Sequence, residues 1–280
     1  MYNGLMDYFY TRFLKGIRQD NLKYLDLVAK KKFIKALSKQ YHPTVFLCCY
    51  MPKVASTYLF SVLKELTGYR NYPLFSHALQ NEQNIDYDEI LKISQQHYMS
   101  KIIAKGTTSN IEIIDALSIK PFIITRPISD IIISLKDHFS KDFNKNNLAH
   151  LWPQLHLNNG FSELSDIVQY DMIIDHFTPW FIDFLNSWMD AETILGPLLW
   201  LTYDDITSDL KNTLLKLSSY YDISIDIKNL NSISKNAKSE ENYFNKGKVG
   251  RGKKCLSKDQ QDRLYSFFRH QSHLEQYIGI

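Results

Sequence analysis

The stretch Thr44-Val-Phe-Leu-Cys-Cys-Tyr-Met-Pro-Lys-Val-Ala-Ser-Thr-Tyr-Leu59 determines how the rest of this chain is interpreted. Residues 44–50 are apolar throughout, which is typical of a parallel strand buried on both faces. From Leu59 onward, apolar residues recur at helical spacing until Gly68, a residue typical of a helix end. The segment is therefore predicted to be a strand, a turn containing Lys53, and a helix. A cation and hydroxyl groups beside the backbone N–H groups of a helix start form an arrangement that binds phosphate.

A second segment, Pro121-Phe-Ile-Ile-Thr-Arg-Pro-Ile-Ser-Asp130, has the same design about seventy residues later. A strand-like run ends at Arg126, and the helix predicted after it carries Ser134, eight residues further along. That spacing lets an arginine at a strand end and a serine two turns into a helix converge on one group. Two such segments predict a ligand with phosphates at two separate positions. The alternative roles are structural: a solvated loop lysine for Lys53, and an ion pair with Asp130 for Arg126.

Strand-like and helix-like runs alternate along the chain, and no repeat of fixed period is visible. This alternation predicts an α/β fold with a central parallel sheet flanked by helices on both faces. We expect one domain over residues 1–280. Its predicted parts are two helices within 1–40, a core at 44–254 with an irregular insertion at 142–171, and a C-terminal helix at 257–277.

Several local predictions concern the second half of the chain. An aromatic-rich helix is expected at 177–189 and is interpreted as core, with an acceptor pocket as the alternative. Residues 203–205 are expected to cap a helix at 207–221, and residues 229–245 to form a polar region before a basic loop at 245–254. Ser257 and Gln260 have the spacing of a capping box for the last helix.

The composition limits the class of protein. With 280 residues, 44% of them apolar, the chain is long enough for a sizeable core. A net charge of +3 is too small to favour a nucleic-acid-binding protein, although it is compatible with a local anionic ligand. No apolar run is long enough to predict a membrane span. The expected protein is a cytoplasmic enzyme.

Two further sequence features favour structural interpretations. Residues 1–16 lack the features of a signal peptide and are predicted to form an amphipathic helix that packs on its own domain, with a membrane-surface helix as the alternative. Cys48 and Cys49 are neighbours in a predicted strand and are interpreted as small buried hydrophobic residues. No histidine or cysteine cluster has the spacing of metal ligands, so no metal is expected.

The first segment resembles the 5′-phosphosulfate loop of the sulfotransferases, Pro-Lys-Ser-Gly-[Ser/Thr]-Thr. Pro52, Lys53, Ser56 and Thr57 match that pattern, and Val54-Ala55 replaces its Ser-Gly. It is not a Walker A motif, because that motif needs glycines before its lysine, which directly precedes Ser or Thr.

Three more segments resemble the same family in the same order. Arg126 to Ser134 is similar to the 3′-phosphate pattern Arg-[Asn/Asp]-Pro-x-Asp-x-x-x-Ser, with Pro127 one place early. Leu201-Thr-Tyr-Asp-Asp-Ile206 is similar to the family's Tyr-Glu-Asp-Leu segment. Tyr243-Phe-Asn-Lys-Gly-Lys-Val-Gly-Arg-Gly252 resembles the C-terminal Arg-Lys-Gly-x-x-Gly-Asp-Trp-Lys loop, with Gly-Arg-Gly in place of Gly-Asp-Trp.

The resemblance implies the P-loop-like fold of these enzymes and transfer of a sulfuryl group from PAPS (3′-phosphoadenosine 5′-phosphosulfate) to a hydroxyl or amine, without a metal. Lys53 would stabilise the leaving oxygen. The 5′ end would be held by Lys53, Val54, Ala55, Ser56, Thr57 and Tyr58. The 3′-phosphate would be held by Arg126, Ser134, Lys246 and Gly247, with charge from Arg251. Tyr203 would lie near the adenine.

The general base is the open part of this interpretation, because residues 101–108 contain no histidine where many family members have one. Glu82 and His77 are the candidates, and Glu82 is favoured. Lys105 is interpreted as a strand-end surface lysine, or as a group that assists the sulfuryl group.

The acceptor is expected to be a small molecule, glycan or lipid whose identity the sequence leaves open, and residues 72–86 and 142–171 are expected to shape its pocket. Two other functional classes stay open at this point: an inactive relative that binds PAPS or PAP, and a small-molecule kinase with a divergent P-loop. A kinase needs a magnesium-binding aspartate at a strand end, for which Asp204 and Asp205 are poor candidates.

Overall fold

The structure is a computed structural model that describes residues 45–75, 82–86, 89–90, 97–146, 161–240 and 249–279. The chain divides into two compact units, one formed by residues 1–42 with 116–118 and the other by Pro43–Asp115 with Ile119–Ile280. Nearly all described residues belong to the second unit, which is the one considered below. The helices predicted within residues 1–40 lie outside the described residues, and the single domain over residues 1–280 stays a prediction.

A five-stranded parallel sheet forms the centre of this unit. Its strands are β1 (Val45–Tyr50), β2 (Arg70–Asn71), β3 (Tyr98–Ile102), β4 (Pro121–Thr125) and β5 (Leu199–Thr202). The strand order is β2-β3-β1-β4-β5, and every neighbouring pair is parallel. Cys48 in the central strand lies opposite Lys101 of β3 and Phe122 of β4. The apolar run of β1 is buried because strands flank it on both sides and helices connect parallel strands across the sheet.

Helices alternate with these strands and flank the sheet, which confirms the predicted fold class. The described α-helices are α1 (Ser56–Thr67), α2 (Thr108–Ala116), α3 (Ile128–Asn146), α4 (Asp166–Leu195), α5 (Tyr203–Ser208), α6 (Leu210–Tyr221), α7 (Leu230–Glu240), α8 (Arg251–Cys255) and α9 (Lys258–Phe267). Two 3₁₀ turns, Phe161–Glu163 and Ser272–Tyr277, complete the described elements.

The part of the predicted insertion that is described is mostly helical, contrary to the irregular structure expected at 142–171. Helix α3 continues to Asn146, and α4 begins at Asp166 rather than 177. Ser165 caps α4 by accepting a hydrogen bond from the Val168 N–H, so the helix has a defined start well before its aromatic stretch. The helix also contains Pro179, which removes one backbone donor but does not end it. Residues 147–160 lie outside the described residues.

The helices after β5 also differ from the prediction in their boundaries. Residues 203–205 do not cap the long helix; they form the first turn of the short helix α5, whose capping box joins Thr202 and Asp205. Asp209 then caps α6, so one predicted helix is two. The polar region at 229–245 contains α7, and the capping box of Ser257 and Gln260 is confirmed.

Aromatic side chains of α4 fill the core, as the sequence predicted. Phe181, Phe184 and Trp188 are fully buried, and the Trp188 Nε1–H donates to the Ala104 carbonyl at 2.9 Å. Cys48 and Cys49 are also buried, and burial raises the pKa of both thiols, which keeps them neutral. Among the described helices, none has the length and apolarity to cross a membrane.

The C-terminal part of the chain is fixed on the start of α3. Asp130 is fully buried, and its carboxylate accepts the Gly250 N–H at 2.8 Å and the Gly252 N–H at 2.7 Å. A Cβ atom on Gly252 would lie 2.3 Å from the Ser129 side chain, so the close approach requires glycine. The Ser129 hydroxyl in turn donates to the Gly279 carbonyl at 2.9 Å.

Replacing Asp130 with asparagine tests this anchor. The amide has one acceptor oxygen and turns an N–H₂ donor toward a second donor, so we expect a loss of about 2–4 kcal/mol in the free energy of unfolding. Urea unfolding measures the loss. The control is Asp137→Asn, which removes a partly exposed ion pair with Arg251 at 2.8 Å and should cost less than about 1 kcal/mol. Equal losses in the two variants would contradict the anchoring role of Asp130.

Candidate functional site

The turn between β1 and α1 has an unusual backbone. Lys53 has φ 63° and Ala55 has φ 64°, so two residues with side chains adopt the left-handed conformation that favours glycine. Alternation of right- and left-handed residues turns successive peptide N–H groups toward one concave surface, which is the geometry of an anion-binding nest. Strain of this kind concentrates at functional sites. The predicted phosphate loop therefore has a backbone suited to an anion.

The start of α1 is electropositive, since its own first turn supplies no carboxylate. Ala55 occupies the N-cap position and offers no side-chain oxygen, and the first turn of the helix contains no acidic residue. The positive end of the helix dipole thus faces the turn. Val54, Ser56 and Tyr58 are buried, whereas Thr57 is exposed and Lys53 is half-buried. Lys53 and Thr57 are accordingly the side chains of this segment that can meet a ligand from solvent.

The buried members of the segment fix its position. The Tyr58 hydroxyl lies 2.7 Å from the Ser234 hydroxyl and so links α1 to α7. Ser56 forms a hydrogen bond with Tyr50; burial raises the pKa of Tyr50 well above its ordinary value, and that hydrogen bond opposes the rise. These contacts give Ser56 and Tyr58 structural partners within the described part of the chain.

Lys101 is a site residue that the sequence analysis did not select. It lies in β3, and its Nζ donates to the Thr57 Oγ1 at 2.5 Å. An ammonium group can only donate, so the Thr57 hydroxyl accepts this bond and directs its own hydrogen elsewhere. The signal that could have found Lys101 is a charged residue in the middle of a strand that is otherwise buried.

Arg126 brings the two predicted phosphate segments into direct contact. Its Nη1 donates to the Lys53 carbonyl at 3.0 Å, and its guanidinium lies 3.9 Å from the centre of the Tyr203 ring. The ion pair with Asp130 that the sequence offered as an alternative is also present, at 3.9 Å. Burial lowers the pKa of Arg126, and Tyr203 and Asp130 oppose that change. Tyr203 therefore lies against Arg126, at the end of β5.

Three N–H groups at the start of α3 are already paired, contrary to the free N–H groups that were predicted for this segment. The Ser129 N–H donates to the Ile278 carbonyl at 3.0 Å, and the N–H groups of Asp130 and Ile131 donate to the Pro127 carbonyl. The C-terminal segment thus uses one donor, the Ser129 N–H, that an anion at this helix start would need. Ser134 follows in the same helix and, like Arg126, is buried.

The remaining predicted residues of the 3′ side divide into two groups. Arg251 lies beside α3, where it pairs with Asp137 at 2.8 Å, so that a carboxylate balances its charge. Lys246 and Gly247 lie outside the described residues, as does the candidate base His77.

The candidate base Glu82 belongs to a polar cluster beyond the end of β3. Its Oε2 accepts a hydrogen bond from the Trp180 Nε1–H at 2.6 Å and lies 3.2 Å from the Lys105 ammonium. Lys105 also lies 3.8 Å from Asp183. Lys105 is therefore not a simple surface lysine but the partner of the candidate base. Two donors on one oxygen hold the Glu82 carboxyl group in a fixed orientation.

Backbone pairing positions the Glu82 cluster at the same edge of the sheet as the phosphate loop. The Gln83 N–H donates to the Ile103 carbonyl at 2.7 Å, directly after β3. Gly106 packs so closely on α4 that a Cβ atom there would lie 2.5 Å from the Ser187 carbonyl oxygen. Because the strands are parallel, their carboxyl ends share one edge, and ligands of open α/β sheets bind at that edge.

The topology also places the predicted phosphate loop at the position where such sheets bind ligands. From β1 the chain continues to β2 and β3 on one side and then crosses to β4 and β5 on the other side. The strand order therefore reverses at β1, and the crevice outside its carboxyl end is the expected ligand site. Among the described residues, no group of histidine, cysteine, aspartate or glutamate side chains is arranged to bind a metal ion.

Comparison with known proteins gives similarity at the level of the fold. No protein-family model matches the sequence, and no curated protein matches it. The structure is similar to that of mouse sulfotransferase SULT7A1, solved in complex with PAP, over 86% of this chain and 90% of that one. The TM-score is 0.58 and the sequence identity is 12%. The chain therefore has an α/β fold shared with a sulfotransferase.

Proposed function

We propose that this protein is a sulfotransferase that moves a sulfuryl group from PAPS to a hydroxyl or amine of an acceptor and releases PAP. The observation that carries the proposal is the contact between the two cationic segments, in which Arg126 donates to the Lys53 carbonyl at 3.0 Å. PAPS has anionic groups at its 3′ and 5′ ends, so a binding site for it needs two cationic regions within the length of one nucleotide. The fold shared with a PAP-bound sulfotransferase supports the same proposal.

The 5′ end is assigned to the turn between β1 and α1. The acceptor oxygen or nitrogen attacks sulfur, the bond from sulfur to the bridging oxygen breaks, and the electron pair stays on the 5′-phosphate. This chemistry resembles phosphoryl transfer, in which positioning and charge stabilisation provide most of the catalysis. Lys53 stabilises the leaving oxygen, and the N–H groups of the turn and the Thr57 hydroxyl hold the phosphate. The other residues of the segment contribute backbone N–H groups or the shape of the turn: Val54, Ala55, Ser56 and Tyr58.

The 3′ end is assigned to the region around Arg126. Arg126 and Ser134 bind the 3′-phosphate in this proposal, together with Lys246 and Gly247. Arg251 is the further cation assigned to this side, and it would have to exchange its pairing with Asp137 for the phosphate. Tyr203 contacts the adenine side of the nucleotide. Because Arg126 and Ser134 are buried, the nucleotide has to displace part of their surroundings when it binds. The cofactor is PAPS, and fixed cations serve where a kinase would use magnesium.

Glu82 is proposed as the base that takes the acceptor proton, with His77 as the other candidate. Trp180 and Lys105 hold one carboxylate oxygen of Glu82, which orients the second oxygen relative to an acceptor. The acceptor is a small molecule, glycan or lipid with a reactive hydroxyl or amine.

The contacts at the end of β5 support this proposal over a kinase. Asp205 is held by Lys216 at 2.9 Å and by Thr202 in the capping box of α5. Burial alone would raise the pKa of Asp205, but the hydrogen bonds from Lys216 and Thr202 lower it. This aspartate therefore has structural partners and is a poor magnesium ligand. An inactive relative that binds PAPS would show nucleotide binding without turnover.

Replacing Lys53 with methionine should reduce turnover by about 100-fold or more, because one preorganised donor to the leaving oxygen is lost. The measurement is transfer of label from [³⁵S]PAPS to a panel of hydroxyl and amine acceptors. Lys64→Met is the matched control, since Lys64 is an exposed lysine at the other end of α1. Turnover that survives in the Lys53 variant would remove Lys53 from the mechanism.

Replacing Glu82 with glutamine should reduce turnover by about 100- to 10,000-fold and leave PAP binding unchanged, since the amide cannot accept a proton. Turnover comes from the acceptor panel and PAP affinity from calorimetry. The control is Glu192→Gln, because Glu192 also accepts a hydrogen bond from a tryptophan, Trp200 at 3.0 Å. Near-normal turnover in the Glu82 variant would leave His77 as the candidate.

A further inference from the structure

We propose that Arg126 is a positioning residue for the 5′-phosphate turn as well as a ligand of the 3′-phosphate. One guanidinium would then couple the two ends of the nucleotide site. The inference rests on the proposed function and adds a role that the sequence patterns do not assign to this arginine.

Arg126 holds the peptide unit between Lys53 and Val54. Its Nη1 donates to the carbonyl oxygen of Lys53 at 3.0 Å. The peptide bond is planar and trans, so the Lys53 carbonyl and the Val54 N–H point in opposite directions. By fixing the carbonyl on its own side, Arg126 turns the Val54 N–H to the other side of the turn. The Val54 N–H is one of the donors of the proposed anion-binding nest.

The same hydrogen bond stabilises an unusual backbone conformation at Lys53. Lys53 has φ 63°, a left-handed conformation that a residue with a side chain adopts only when its surroundings hold it there. The bond from Arg126 is a charge-assisted hydrogen bond to this same residue, and such bonds are stronger than neutral ones. Loss of the guanidinium is therefore expected to release the turn toward an ordinary conformation.

Arg126 is itself held in place by its neighbours. The guanidinium is buried, lies 3.9 Å from the centre of the Tyr203 ring, and lies 3.9 Å from an oxygen of Asp130. Asp130 is fixed in turn by the N–H groups of Gly250 and Gly252. The donor is thus held from several directions. A guanidinium carries five N–H donors in one plane, so it can serve a backbone carbonyl and an anion at the same time.

Coupling of this kind has a consequence for binding. If a phosphate at the 3′ site and the shape of the 5′ turn depend on the same side chain, each site affects the affinity of the other by the same factor. A ligand with only a 5′-phosphate would then depend on Arg126, although it has no group for the 3′ site.

The test compares adenosine 5′-monophosphate with adenosine 3′-monophosphate by calorimetry in Arg126→Gln. We expect the affinity for the 5′-monophosphate to fall by about tenfold, the effect of one hydrogen bond to a charged donor. The matched control is Ser134→Ala. Ser134 is assigned to the 3′-phosphate alone. This variant should therefore lower the affinity for the 3′-monophosphate and leave the affinity for the 5′-monophosphate unchanged.

A second variant separates positioning from charge and from loss of folding. Arg126→Lys keeps the buried positive charge but lacks the planar fork. We expect the same fall in affinity for the 5′-monophosphate. We also expect faster backbone amide hydrogen exchange in residues 53–58 of the unliganded protein. Unchanged 5′-monophosphate affinity in both variants overturns the inference and leaves the proposed function intact. Failure of the unsubstituted protein to bind either nucleotide or PAP overturns the proposed function, and the inference with it.

Discussion

A buried ion pair between Arg126 and Asp130 connects the parts of this molecule that matter for its proposed site. Buried charges are tolerated only when partners satisfy them, and removing one partner of such a pair is strongly destabilising. Here the arginine reaches the turn after β1 through the Lys53 carbonyl, and the aspartate reaches the C-terminal segment through two glycine N–H groups. Segments far apart in sequence therefore meet at the end of β4 because both charges need partners.

The position of this pair explains why a nucleotide site fits here. All neighbouring strands are parallel, so the turns after β1, β3, β4 and β5 lie at one edge of the sheet. The turn after β1 supplies a strained backbone and an uncapped helix start, β3 supplies Lys101 and leads into Lys105, and β4 ends at Arg126. Among the described residues, the cations at this edge are lysine and arginine side chains. That arrangement suits a ligand with several anionic groups and a reaction in which fixed cations stabilise the leaving group.

Local sequence patterns were sufficient to predict much of the fold. The apolar strand of residues 45–50 and the helix that ends before Gly68 follow from the patterns of their own residues, and so does the capping box of Ser257 and Gln260. Patterns failed where a boundary depends on surroundings. Strand β2 has only two residues, both exposed, and carries no apolar signal. The start of α4 depends on the N-cap residue Ser165, which lies well before the aromatic residues from which the helix was predicted.

The candidate site was predictable as separate segments but not as an assembly. The hydrogen bonds from Lys101 to Thr57 and from Trp180 to Glu82 join residues 44 and 98 positions apart, and no local pattern records such pairs. The C-terminal segment's use of the Ser129 N–H is likewise a long-range contact, which explains why the start of α3 was expected to be available.

The most direct test of this account is thermal unfolding of the protein with PAP, compared with ADP and with ATP plus magnesium. At about 100 times its dissociation constant, a ligand adds about 2.7 kcal/mol to the free energy of unfolding. For a chain of this size that corresponds to a rise of roughly 5–10 °C in the melting temperature. The account predicts this rise with PAP and a much smaller one with ADP or ATP–magnesium. A rise with ATP–magnesium and none with PAP would contradict it.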